Sequence, residues 1–245
     1  HDLPDRGAVY ELNPKDAPPV VLEDFNRPGR VVKDSDVGAK LSGFWGGWDL
    51  TLNYLYHYDD IPVLYQTISA GPVVTLSPEY ERTHLLGGSF SNAFGDFTLR
   101  GEVGYSFDKH YTTRNPSDTG FVHSGNEFNY VLGLDWYGIE QTLLSVQFFQ
   151  NIVTSNIDEL LRDSVENKFT FLVRRSFRND TLVASLIAVH SINDGDGYIR
   201  PKIAYDLQDN LTLWLGADVF YGDDSDLFGQ FDRTDRIVLG AEWGF

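Results

Sequence analysis

The sequence predicts an all-β fold: an antiparallel transmembrane β-barrel of the outer-membrane type, with about eleven strands in this chain of 245 residues. Three observations predict it. Apolar and polar residues alternate with period two over most of the chain. The connections between the alternating segments are short and long by turns. No apolar run is long enough for a membrane helix, and a mean hydropathy of −0.27 is what strands with one apolar and one polar face average to.

The strands are expected at 37–46, 48–58, 80–91, 96–107, 126–137, 141–153, 164–177, 181–192, 198–206, 210–221 and 235–245. In the second, Leu50, Leu52, Tyr54, Tyr56 and Tyr58 oppose Asp49, Thr51, Asn53 and His57. In the fourth, Phe97, Leu99, Val103, Tyr105 and Phe107 oppose Asp96, Thr98, Arg100, Glu102 and Ser106. The fifth sets Phe128, Tyr130, Leu132, Leu134 and Trp136 against Asn129, Gly133 and Asp135. The tenth and eleventh repeat the pattern, ending with Ile237, Leu239, Ala241, Trp243 and Phe245 on one face. Segments 80–91, 141–153 and 181–192 carry apolar residues on both faces.

The short connections are Gly46-Gly47, Asn92-Ala93-Phe94-Gly95, Gly138-Ile139-Glu140, Arg178-Asn179-Asp180 and Leu207-Gln208-Asp209. Most offer Gly, Asn or Asp to tight turns. The alternate connections, 59–79, 108–125, 154–163 and 222–234, are long; 193–197 is the short exception. Short periplasmic turns and long extracellular loops are the pattern of outer-membrane barrels. Aromatic residues gather near both ends of the strands, as in the girdles at two membrane interfaces.

If the last strand ends on the periplasmic side, the first descends from outside. Residues 1–36 then form an extracellular irregular segment and 37–245 the barrel. Five prolines within 1–36 disfavour a regular strand there, although Val20–Phe25 or Arg30–Val32 as an irregular twelfth strand stays open. Eleven strands do not close as an even-numbered barrel, so further strands are expected from upstream sequence or a partner chain. The absence of methionine agrees with a chain that begins after a processing site or is part of something longer.

Composition excludes several classes. Zero cysteine removes disulfide scaffolds, thiol nucleophiles and cysteine metal sites. A net charge of −17 and a pI near 4.5 argue against nucleic acid as a partner. No catalytic motif is evident. His57 with Asp59 and Asp60, His190 with Ser191, and His84 are the histidines weighed as parts of a hydrolase site.

The polar strand faces supply the lumen-lining candidates: Asp49, Arg100, Glu102, Asp135, Arg174, Arg200, Lys202 and Asp218. These read either as a hydrogen-bonded, ion-paired interior or as a permeation path with an ion-selecting field. The external segments carry −13 of the −17, which makes an acidic outer mouth. Within it, Asp194 and Asp196 have the acid spacing of a calcium-type loop, with Asp223, Asp224 and Asp226 as a neighbouring cluster. Solvated turns have the same composition.

Terminal Phe245, with Trp243 two residues before it, resembles the signal by which outer-membrane barrels are read by the barrel-assembly machinery. A more specific resemblance runs through Leu41-Ser42-Gly43, Trp48-Asp49-Leu50, Tyr56-His57-Tyr58-Asp59-Asp60, Ser89 to Phe97 and Asn129 to Gly138. It continues through Arg178 to Leu182, Asn193 to Gly197, Leu215 to Asp218 and Phe228 to Asp232. These stretches resemble the C-terminal half of an uncharacterised family of large proteobacterial outer-membrane proteins, a domain of unknown function. Members often lie near genes for an RND-type exporter. The resemblance implies a barrel in contact with outer-membrane lipid and passive movement of lipid or another hydrophobic compound. It carries no catalytic residue.

Overall fold

In a computed structural model, residues 19–29, 32–68 and 73–244 are described. Fourteen strands form two sheets. The large one is an eleven-stranded antiparallel meander. Its strands are β2 (Val37–Trp45), β3 (Trp48–Tyr58), β6 (Arg82–Phe94), β7 (Phe97–Thr112), β8 (Val122–Trp136), β9 (Thr142–Val153), β10 (Val165–Phe177), β11 (Leu182–Ser191), β12 (Gly197–Gln208), β13 (Leu211–Tyr221) and β14 (Arg236–Trp243). Each of the eleven expected segments is a strand of this sheet, and each strand pairs with its neighbour in the chain or across the one inserted hairpin.

The period-two pattern sets which side each residue faces, and the cross-strand registers hold it. One row joins Asp49, Ser91, Arg100, Gly133, Gln147 and Thr170 across six strands. The row beside it joins Thr51, Ser89, Glu102, Val131, Phe149 and Lys168. Leu52, Leu132, Leu215 and Ile203 face the other way and are 45–56% exposed. That apolar face covers no core of its own. The polar face encloses two recesses, of about 550 and 350 Å³.

The tight turns follow their local chemistry. Gly46 and Gly47 have φ of 58° and 88° between β2 and β3, a conformation glycine adopts without a Cβ clash. Arg178, Asn179 and Asp180 all have positive φ between β10 and β11, closed by Thr181 N–H donating to the Arg178 carbonyl.

Two stretches expected as loops are ordered. Segment 59–79 contains β4 (Val63–Ile68) and β5 (Val74–Glu79), an antiparallel pair. The third strand of this small sheet, β1 (Val20–Leu22), runs parallel to β5. Val20–Leu22 is therefore not a twelfth strand of the large sheet. Of Arg30–Val32, residues 30 and 31 lie outside the described residues, and Val32 opens a 3-10 turn to Asp34. The expected loop 108–125 shortens to 113–121. β7 breaks register between Ser106 and Lys109, with Asp108 at φ 55°, and the β7–β8 hairpin then continues outward.

Among the described residues, the buried apolar ones lie in these elements and at the adjoining end of β9: Val63, Leu76, Tyr111, Val122 and Val153. β4 packs against β7, β8 and the 3-10 turn Thr119–Phe121, with the Tyr65 ring against Gly120. Arg82 lies over the rings of Tyr58 and Tyr56, at 4.1 and 4.7 Å, and donates to the carbonyls of Lys33 and Ser35. It thereby ties segment 32–36 to the sheet.

Among the described residues, β2 and β14 have no partner on their outer sides. Both run from the long-connection end toward the short-turn end, so each presents an open edge of the same polarity. Because the packed residues sit in the small sheet and the ends of β7, β8 and β9 beside it, and not between the faces of the large sheet, Leu76→Ala should loosen that end alone. The cavity lowers local stability by about 2–5 kcal/mol. Hydrogen exchange should accelerate in β4 and β5 and stay unchanged in β10 to β12. Acceleration throughout would contradict this partition.

Candidate functional site

The inward face of the large sheet is built by residue alternation, and all eight lumen-lining candidates lie on it. The cross-strand rows place Asp49, Arg100, Glu102 and Asp135 on β3, β7 and β8. They place Arg174, Lys202, Arg200 and Asp218 on β10, β12 and β13. The larger recess is lined by Lys40, Asn53, Ser89, Glu102, Asn129 and Asn151 among others, the smaller by Asp49, Arg100, Glu102, Gln147 and Phe149 among others.

The candidates fall into three groups. Arg100 donates to Asp135 at 3.2 Å across β7 and β8. Asp218 is 3% exposed and takes two guanidinium groups, Arg200 at 2.5 Å and Arg236 at 2.6 Å. A nearly buried carboxylate between two arginines recovers in charge-assisted bonds what it loses in hydration. Asp49, Glu102, Arg174 and Lys202 make no ion pair among the described residues, and Lys202 lies over the Trp214 ring at 4.7 Å. Trp214 is itself inward and rests on Gly240, where any Cβ would collide with the indole.

A charged cluster that sequence reasoning missed lies at the outer end of this face. Glu127, on β8, is 3% exposed. Lys109 reaches it at 3.4 Å, Arg162 at 2.9 Å and the Tyr111 hydroxyl at 3.3 Å. Lys109 also meets Asp59 at 3.5 Å, and Arg162 meets Glu166 at 2.9 Å. The 154–164 connection is thus drawn against the long-connection end of the sheet. Backbone bonds from Leu161 N–H to the Thr112 carbonyl and from Arg114 N–H to the Glu159 carbonyl hold it there. No spacing in the sequence announces this cluster, because its members come from five separate connections and strand ends.

The expected calcium-type ligands do not converge. Among the described residues no group of three or more His, Asp or Glu side chains is placed to hold a metal ion. Asp194 instead accepts from the Ser191 hydroxyl at 2.8 Å. Asp196 is buried and accepts from the Phe228 N–H at 2.6 Å, tying the β11–β12 turn to the β13–β14 connection. Asp224 pairs with Arg233, Asp226 accepts from Ser225, and the Asp223 carbonyl accepts from the Asp226 N–H. Asp194, Asp196, Asp224 and Asp226 thus make hydrogen bonds or ion pairs within and between the two connections.

The histidines weighed for catalysis have structural partners. His57 bonds the Tyr58 carbonyl, His84 the Tyr54 hydroxyl while stacking on Tyr56, and His190 the Tyr221 hydroxyl. In the outer hairpin, hydrogen bonds from His123 and Thr113 hold the Asp118 carboxyl below its usual range. Burial and the nearby Glu81 carboxylate, which accepts its hydrogen bond at 2.6 Å, push the Tyr65 hydroxyl above the ordinary phenol range. Of the assembly-signal residues, Trp243 is on the outward face of β14, 71% exposed, and Phe245 lies outside the described residues.

No family model matches the chain, and no curated protein matches it. Solved structures similar to it include a KdgM porin, at 8% identity and a TM-score of 0.36. A KdgM porin in complex with disordered oligogalacturonate gives 8% and 0.37. Each alignment covers 86% of this chain and 92% of the other. A likeness this distant carries no argument about function; the geometry of the sheet does.

If Glu127 is what draws in the 154–164 connection, Glu127→Gln leaves Lys109 and Arg162 without their shared countercharge. The local cost is up to about 3–5 kcal/mol. Trypsin should then cleave after Arg162 at least tenfold faster than in the unaltered chain. An unchanged cleavage rate would show that the backbone bonds alone hold the segment.

Proposed function

We propose that the chain is an outer-membrane β-barrel for passive permeation of solutes, without catalysis and without an energy source of its own. The observation that carries this reading is the division of one continuous sheet into an exposed apolar face and a polar face that encloses recesses. An exposed apolar face of eleven strands has no place in water, whereas hydrocarbon accepts it. Aqueous solutes move along the polar face.

Placement in the membrane sets the surroundings of each part. The short turns lie at the periplasm and the long connections outside, where their acids form a cation-attracting mouth. Open edges at β2 and β14 are not tolerated in lipid. A strand running opposite to both, from upstream sequence or a partner chain, completes the ladder. Outer-membrane lipid contacts the apolar face, and the assembly machinery reads the Trp243 and Phe245 end. The family resemblance extends the permeant to lipid or other hydrophobic compounds. A second reading, a structural or adhesive barrel, is favoured by one feature: the small outer sheet exposes Val21, Leu22 and Ile68.

Single-channel recording in a planar bilayer tests the permeation reading. The folded protein should give discrete conductance steps, larger for cations than for anions at low salt because of the acidic mouth. Absence of conductance from correctly inserted protein would overturn permeation and leave the adhesive reading.

A further inference from the structure

One register row on the inward face differs from the rest. It joins Arg174 on β10, Ser185 on β11, Lys202 on β12 and Gly216 on β13. Neighbouring strands stand ~4.8 Å apart, so the Arg174 and Lys202 backbones are roughly 10 Å apart with the Ser185 hydroxyl between them. Both side chains are long enough to meet over Ser185. Gly216 adds no side chain to crowd the row.

The charges of this row are not neutralised where they stand. Among the described residues, Arg174 and Ser185 have no hydrogen-bond or ion-pair partner, and the one contact recorded for Lys202 is the Trp214 ring. The inward acid of the adjoining row, Asp218, is already taken by Arg200 and Arg236. Several residues beside Arg174 and Ser185 are apolar although they face inward. Leu172 and Ile187 are paired in the row on one side, which Arg200 continues, and Val183 with Ala204 in the row on the other, which begins at Ser176.

Two cations and a hydroxyl beside the apolar pair Leu172 and Ile187 are the complement of a molecule with a charged oxygen head and an apolar body. Arg174 offers a planar fork of donors to an oxyanion, Lys202 a point charge, and Ser185 one more donor. The apolar neighbours weaken solvent screening of the head and cover the body. From this arrangement we propose that the row is a binding site for amphiphilic organic anions, with a carboxylate as head group. Their heads lie at Arg174, Ser185 and Lys202, and their chains lie along Leu172 and Ile187. The inference rests on the permeation reading for the direction in which the inward face is wetted, and it names a solute class that the acidic mouth does not favour on charge alone.

Decanoate is the probe, titrated calorimetrically into the full chain reconstituted in lipid nanodiscs, with empty discs subtracted. The expected result is saturable binding that Arg174→Gln combined with Lys202→Gln weakens at least tenfold. Ile187→Ser weakens it severalfold, and Lys40→Gln, a cation on the β2 wall, leaves it unchanged. Drawing the Lys202 ammonium away from the indole should also shift the emission lost on Trp214→Phe. Equal binding by all variants, or none by the unaltered protein, would overturn the proposal. Loss with the cation pair but not with Ile187→Ser would overturn the amphiphile assignment in favour of plain oxyanions. The same variants in planar bilayers separate the two claims. Conductance without decanoate binding overturns the site and leaves the channel, and decanoate binding without conductance overturns the channel and leaves the site.

Discussion

Everything in this molecule depends on the cross-strand backbone ladder. From β2 to β14 each strand gives its N–H and C=O groups to a neighbour, with a register shift in β7 and another in β12. In hydrocarbon nothing else can satisfy those groups, at several kcal/mol for each one left open. The ladder also fixes the faces. A slip of one residue in any pair would turn that strand's apolar side inward. The side chains do not hold the large sheet as a core does, because its apolar residues face outward. They decide which environment each face can occupy.

The charges divide the same surface. Pairs that sit deepest are the ones best compensated: Asp218 between two arginines, and Glu127 among Lys109, Arg162 and Tyr111. The first stiffens the wall formed by β12, β13 and β14. The second gathers the 154–164 connection over the end of the sheet, next to the small sheet and its buried Val63 and Leu76. The uncompensated groups, Asp49 and Glu102 on one part of the wall and Arg174 and Lys202 on another, have no ion-pair partner among the described residues.

Much of this is legible in the sequence, for a reason particular to membrane strands. A strand between lipid and water must alternate, so Leu50 to Tyr58 or Phe128 to Trp136 declare both their conformation and their faces. The same alternation places all eight lumen-lining candidates on one side. Where the constraint lapses, so does the signal. Lys109 to Thr112 and Val122 to Gly125 extend the β7–β8 hairpin beyond the alternating zone, and by pattern they read as loop. Val63–Ile68 and Val74–Glu79 pair with each other, and Val74–Glu79 also with Val20–Leu22, through backbone bonds that no periodicity marks. The acid-rich turns at 193–197 and 222–226 have a composition that serves turn closure and cation binding equally. Only coordinates separate the two, and here Ser191, Phe228 and Arg233 take up Asp194, Asp196 and Asp224.

The central claim is that the apolar face meets lipid and the polar face meets water. The chain contains no cysteine, so single cysteines carrying a spin label can be placed one at a time from Phe128 to Asp135 along β8 without background. In reconstituted bilayers, Phe128, Tyr130, Leu132 and Leu134 should report high accessibility to oxygen and low accessibility to a water-soluble nickel chelate. Asn129, Val131, Gly133 and Asp135 should report the reverse, giving a period of two. Uniform access to the nickel chelate along the strand would contradict the account.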